Sequence, residues 1–288
     1  MNVKPKPHTF CLVISCADSI GIVAAVTHFI AELDGSLTES NHHTDVTEGV
    51  FYMRNVIDAN SLSVNIKEFR EKFTVVAKQF DMKWYVRDTQ IRQKMVLMAS
   101  HASHCITDLL YRWQSGELRC DIPCVISNHE NLKSMVEWYG IPFHYIPVLK
   151  DNKQEAFDKI NSIIEQHNAE IIVLARYMQI LPPKMCKQYA GRLINIHHSF
   201  LPSFIGANPY KKAFDRGVKL IGATSHYVTE DLDEGPIIEQ DVIRVSHKCE
   251  KEDMVRLGRD VEKAVLSRGV RFHLEDRVIV RGNKTVVF

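Results

Sequence analysis

Three short apolar runs, Met95–Ala99, Ile122–Ile126 and Ile171–Leu174, are separated from one another by stretches with helical spacing. A strand that is apolar on both faces has no solvated side, so it belongs inside a sheet covered above and below. Strands of this kind joined through helices pair in parallel by crossover connections. One intervening helix is marked by Ile106, Leu109, Leu110 and Trp113, another by Ala156, Phe157, Ile160, Ile163 and Ile164. Further strands are expected at Leu193–Ile196 and Leu220–Val228. A long late helix carries Met254, Leu257, Val261, Ala264 and Val265, and a terminal hairpin turns at Gly282-Asn283. This part of the chain reads as α/β, a doubly wound and mostly parallel sheet.

The residues ahead of it follow a different rhythm. Phe10, Leu12 and Ile14 alternate as in a strand with one buried face, and Ile22, Val23, Val26, Phe29, Ile30 and Leu33 recur at helical spacing behind Asp18, an expected N-cap. Extended stretches follow at Ser36–His43 and Val50–Val56. A second helix is marked by Ile66, Phe69, Phe73, Val76, Ala77 and Phe80, and Met82, Trp84 and Val86 close the block. The order β-α-β-β-α-β predicts a split βαβ unit, an antiparallel sheet with both helices on one face. A chain of 288 residues suits two domains. The aperiodic, charged stretch Arg87–Lys94 is the expected linker, giving domains 1–88 and 89–288.

Composition narrows the function. Thirty-six basic residues against 35 acidic leave no basic excess for a nucleic-acid partner. No run approaches the ~20 apolar residues of a membrane span, and the run Cys11–Ile14 is too short for a secretory signal. The seven cysteines are scattered and read as reduced thiols. A cytoplasmic location is expected, with no membrane contact. His42/His43 and His197/His198 are adjacent pairs whose side chains diverge in extended backbone, unlike ligand spacings that converge on one ion. No G-x-G-x-x-G follows a strand. Neither a metal nor a nucleotide cofactor is expected.

The chemistry is concentrated in two stretches. In Asn195-Ile196-His197-His198-Ser199-Phe200-Leu201-Pro202, Asn195 and His197 project to the same side at the end of an apolar strand, where open α/β sheets bind ligands. In His226-Tyr227-Val228-Thr229-Glu230-Asp231-Leu232-Asp233-Glu234-Gly235-Pro236, a strand delivers acids into a loop. An amide and an imidazolium can stabilise the charge that grows on a carbonyl oxygen under attack, and a nearby carboxylate can order water and accept its proton. Taken singly, each residue has an ordinary reading: a turn cap, a packed histidine, a solvated loop.

Jointly, Asn195-x-His197 and His226-x-x-Thr229-x-x-x-Asp233 resemble the motifs of the folate-dependent formyltransferase family, whose fold is Rossmann-like. The resemblance implies that Asn195 and His197 polarise a formyl oxygen, that Asp233 handles the proton and that His226 supports them. It also implies that Met178, Gln179, Ile180 and Leu181, within Arg176-Tyr177-Met178-Gln179-Ile180-Leu181, hold a folate with Thr229, Glu230, Asp231 and Leu232. Members that formylate a phosphorylated amine carry a glycine-containing loop after the first strand. Here that place reads Ala99-Ser100-His101-Ala102-Ser103-His104-Cys105, without glycine. The first block, through Asp18-Ser19-Ile20-Gly21-Ile22-Val23, resembles the ACT domain, of ferredoxin-like fold. That likeness implies either a small amino-acid effector at Asp18 and Gly21 or a surface that builds a homo-oligomer, with Gly21 serving the ligand or merely helix packing. An ACT block fused to such a catalytic block resembles the hydrolytic branch of the family. Phe204-Ile205-Gly206-Ala207-Asn208-Pro209-Tyr210 and His273–Val278 fit it too. The implied reaction is hydrolysis of 10-formyltetrahydrofolate to formate, feeding purine synthesis and balancing the one-carbon pool. Transfer to an amine acceptor and a non-catalytic amino-acid sensor are the alternatives.

Overall fold

The computed structural model describes residues 7–202 and 209–288. They divide into two compact units, with the division between Arg92 and Gln93 rather than at 88/89. The added residues belong to the first unit because Thr89 bonds back to β1 (Thr9–Ala17). Its backbone N–H donates to the Thr9 carbonyl at 3.0 Å, and the two hydroxyls meet at 2.8 Å.

In the first unit, β1 is followed by α1 (Ile22–Glu32), β2 (Ser36–Asp45), β3 (Val50–Asp58), α2 (Ile66–Gln79) and β4 (Lys83–Asp88). The strands form one antiparallel sheet in the order β2-β3-β1-β4. Phe10, Leu12 and Ile14 of β1 pack with Val26, Phe29 and Ile30 of α1 and Phe69, Phe73 and Ala77 of α2. Both helices therefore cover one face. A capping box starts α2, with Asn65 accepting from Lys67 and Glu68 and Glu68 accepting from Asn65. The expected N-cap of α1 is corrected: the helix begins at Ile22, and its N-cap is Gly21, not Asp18. Gly21 holds φ 97°, a conformation side chains avoid, and a Cβ there would meet nothing within 4 Å among the described residues. Backbone shape, not close packing, explains this glycine.

The second unit runs β5 (Gln93–Ala99), α3 (His104–Gln114), β6 (Cys120–Asp121), β7 (Val125–Ser127), α4 (Lys133–Trp138), β8 (Phe143–Tyr145), α5 (Lys153–Gln166), β9 (Ile171–Ala175), α6 (Pro183–Gln188), β10 (Leu193–His197), α7 (Pro209–Arg216), β11 (Leu220–Tyr227), β12 (Ile237–Arg244), α8 (Lys251–Leu274), β13 (Val278–Arg281) and β14 (Lys284–Val287). The sheet order is β12-β11-β10-β9-β5-β7-β8, with β6 beside β5. From β10 to β8 every pairing is parallel, whereas β11 and β12 are antiparallel. The strand expected over Ile122–Ile126 is two short pieces instead. Pro123 between them lacks an N–H for the ladder.

Alternation along the strands sorts side chains to two cores. Leu97, Val173 and Ile194 face α3 and α8, while Met98, Ile172 and Leu174 face α5 and α6. Each fully buried side chain of this kind contributes ~1.5–3 kcal/mol. Both faces are thus fixed, and the carboxyl ends of β9 and β10 are left to carry polar groups.

Candidate active site

Asn195 and His197 close β10, and the β10–β11 ladder puts Asn195 opposite His226 and His197 opposite Thr224. Asp233 comes from the loop between β11 and β12 and holds φ 59°. Arg176, just past β9, holds φ 63°. Left-handed backbone is common for an aspartate and costs more for an arginine, so the turn at Arg176 carries the greater strain.

Asp233 Oδ2 lies 3.0 Å from His197 Nδ1, so the imidazole donates to the carboxylate. Asp233 Oδ1 lies 3.7 Å from His226 Nε2, too far for a hydrogen bond. His226 Nδ1 donates to the Tyr227 carbonyl at 2.9 Å, and its Nε2 lies 3.2 Å from the Asn195 amide nitrogen. Burial works to raise the Asp233 carboxyl, but the His197 hydrogen bond and the two imidazoles outweigh it and hold it well below the usual carboxylate range. His197 Nε2 is buried without a hydrogen-bond partner among the described residues.

These groups line a cavity of ≈ 550 Å³, bounded also by Met178–Leu181 and Val228–Leu232. Met178, Ile180 and Leu232 are 58%, 60% and 57% exposed, apolar lips suited to a flat ring. Thr229 fixes its loop by donating to the Asp231 carbonyl at 3.0 Å, and Glu230 pairs with Lys187 at 3.1 Å. All the residues named from the sequence for catalysis and folate contact therefore meet in one cavity. Asp18 and Gly21 belong to the first unit. Of 204–210, residues 204–208 lie outside the described residues.

Sequence reasoning missed a second layer. Ser100 accepts the Met178 N–H at 2.9 Å and donates to Asn128 at 2.6 Å, so the loop after β5 clamps the segment that lines the cavity. Glu262 of α8, 1% exposed, gathers His104 Nε2 at 2.7 Å, Arg176 Nε at 3.3 Å and the Tyr210 hydroxyl. Burial would raise this carboxyl, yet the His104 hydrogen bond and the Arg176 charge bring it below its usual range. Gly258, one turn earlier, leaves room for the Tyr210 ring. Tyr210 and Arg176 reach the cavity beside His198, whose imidazole burial, helped by Arg176, pushes down to about 4.

Among the described residues, two groups bring ligand-type atoms within 4.8 Å of one another, Cys124/His144/His167 and His104/Cys105/Glu262. Burial pushes the Cys124 thiol up to about 12, and the Glu262 carboxylate is already paired with Arg176. Neither group offers a ready anionic ligand set.

Asn195 and His197 end β10, the β11–β12 loop brings Asp233 to them, and residues 93–270 match the Formyl transferase family model, which sets the class of this fold. Within that class the chain belongs to the formyltetrahydrofolate deformylase family. It is 48% identical to the formyltetrahydrofolate deformylase of Bacillus subtilis, over 96% of this chain and 93% of that protein. It is similar to the crystal structure of a formyltetrahydrofolate deformylase from Pseudomonas syringae pv. tomato, with a TM-score of 0.97, 57% identity, and 99% and 96% of the two chains covered. A glycinamide ribonucleotide transformylase from Symbiobacterium toebii shares the fold, with a TM-score of 0.65 at 22% identity, over 71% of this chain and 97% of that one.

Proposed function

We propose that the chain hydrolyses 10-formyltetrahydrofolate to formate and tetrahydrofolate, with water as acceptor and no cofactor. The observation that carries this reading is His197 Nε2, buried and unpartnered, on a ring whose other nitrogen Asp233 holds at 3.0 Å. With the ring doubly protonated, Nε2–H and the Asn195 amide donate to the formyl oxygen as charge develops there. Asp233 Oδ1 orders the attacking water. A carboxyl held so low is a weak base in the resting site. As the oxyanion draws the Nε2 proton, the His197 charge is neutralised and Asp233 becomes basic when the water loses its proton. The water oxygen bonds to the formyl carbon; as the C–N bond breaks, Asp233 passes its proton to the departing nitrogen, the re-forming carbonyl oxygen returns the Nε2 proton to His197, and formic acid ionises to formate. Met178–Leu181 and Thr229–Leu232 hold the pterin.

The glycine-free turn after β5 favours water over a phosphorylated amine, since a backbone phosphate cradle needs close approach. The test is formate release without any amine. Release from the wild type and its loss by ~10²–10⁴-fold in Asp233→Asn support the reading. A strict acceptor requirement would overturn it, and an unchanged rate in the variant would remove Asp233 from catalysis.

We further propose that the first unit is a ferredoxin-like ACT domain that assembles a homo-oligomer through its sheet edges or takes a small amino acid near Asp18 and Gly21. The β-α-β-β-α-β order and the β2-β3-β1-β4 sheet support this reading. Calorimetry across the common amino acids tests the effector; no heat of binding leaves assembly. Among the described residues, no helix is long and apolar enough to cross a membrane. We propose a cytoplasmic role in which the released formate supplies purine synthesis.

A further inference from the structure

The hydrolysis makes an anion beside an anion. Formate is released within reach of the Asp233 carboxylate, which repels it, so departure is favoured by a cation set aside from the reacting centre. The β9–β10 ladder ends with Asn195 opposite Leu174, so Arg176 leaves β9 at the level where His197 leaves β10. Neighbouring strands lie ~4.8 Å apart. Arg176 lines the same cavity, 16% exposed at its side chain. Its Nε lies at ion-pair distance, 3.3 Å, from buried Glu262 without making a hydrogen bond among the described residues, and its terminal nitrogens make none there either. Glu262 is itself fixed by His104 and Tyr210. The charge of Glu262 on its Nε side therefore holds the guanidinium in place while its end-on pair of N–H groups stays available, the geometry that takes a carboxylate in two parallel bonds.

We infer that Arg176, oriented by Glu262, is a carboxylate seat that receives the formate product. This inference rests on the hydrolase reading. The other carboxylate at hand is the glutamate tail of the substrate, for which Lys211 and Lys251 also line the cavity. Formate is the better match, because Arg176 sits beside the strand that carries Asn195 and His197. His198, neutral next to it, adds no competing charge at physiological pH.

The test measures the inhibition constant of sodium formate, following tetrahydrofolate formation, in the wild type, Arg176→Met and Arg176→Lys. Arg176→Met should raise it about tenfold or more, the worth of a charged two-bond contact. Arg176→Lys, which keeps the charge and the fold but loses the fork, should raise it about threefold. Carbon-13 NMR of labelled formate added to the enzyme without folate gives a binding readout that needs no turnover. Formate binding that vanishes in Arg176→Met supports the seat even if the chain proves not to hydrolyse the folate. An unchanged formate constant in both variants overturns it. So does a KM that rises in Arg176→Met for the glutamate-bearing substrate but not for its pteroate analogue, with formate inhibition intact, since that result makes Arg176 a tail residue.

Discussion

Gly258→Ala tests whether α8 is built around Tyr210. A Cβ at residue 258 would stand 2.2 Å from both Cζ and the hydroxyl oxygen of Tyr210, and 2.4 Å from Cε1. Carbon atoms rest at ~3.5–4.0 Å, so the ring must retreat by more than 1 Å, roughly. Tyr210 is buried, and its hydroxyl donates to Glu262, so retreat takes a donor from a carboxylate that is 1% exposed. Overpacking costs ~1–3 kcal/mol, and weakening a hydrogen bond to a charged group ~1.5–3 kcal/mol. Replacing glycine by alanine inside a helix returns ~1 kcal/mol. The balance is a loss of ~1.5–5 kcal/mol, and a melting point lower by about 3–20 °C at ~2–4 °C per kcal/mol. Thermal unfolding followed by circular dichroism measures it. The same substitution in a Tyr210→Ala background, where the ring is gone, should raise the melting point through helix propensity alone. A Gly258→Ala protein that melts at or above the wild-type temperature would refute the packing argument.

Three further outcomes follow from the site. Asn195→Ala removes the amide aimed at the formyl oxygen and should lower kcat by ~10²–10³-fold with little change in KM, read by steady-state formate release. Gly235→Ala would set a Cβ 1.8 Å from the Tyr227 carbonyl oxygen, so the turn carrying Asp233 must open; activity should fall further than stability, checked by comparing turnover with thermal melts. His198 has a folded pKa near 4 against an ordinary 6.5, so the unfolded chain binds its proton first. Its contribution is therefore intact above pH ~6.5 and lost as pH falls toward ~4, up to roughly 3 kcal/mol. His198→Gln should flatten that part of the stability profile; parallel wild-type and variant profiles would contradict the burial of a neutral imidazole.

The reactive groups were legible because one strand end and one loop carry them. Asn195 and His197 share a face by parity alone, whereas Asp233 was joined to them by the family motif His226-x-x-Thr229-x-x-x-Asp233, and the β10–β11 pairing supplies the physical reason. The helices were legible for a similar reason, since Phe29, Phe69 and Phe73 repeat at the spacing that buries them. The break at Pro123 is local too, since proline has no N–H for the ladder, although the apolar residues around it carry the stronger strand pattern. Glu262 could not be read the same way. On a long helix it resembles any solvated acid, and its partners His104, Arg176 and Tyr210 come from three other parts of the second unit, the first of them 158 residues away. Only its spacing from Gly258, four residues on one helix face, hinted that α8 receives something large there. The division has a physical basis. Reaction chemistry needs groups a few ångströms apart with fixed directions, which local backbone can supply. Orienting a cation such as Arg176 needs a counter-charge kept from water, and a single strand or turn has no interior in which to keep one. The residues that distinguish how a formyl group is attacked are thus found in short motifs. Those that decide where its product goes are found where distant elements close over a charge.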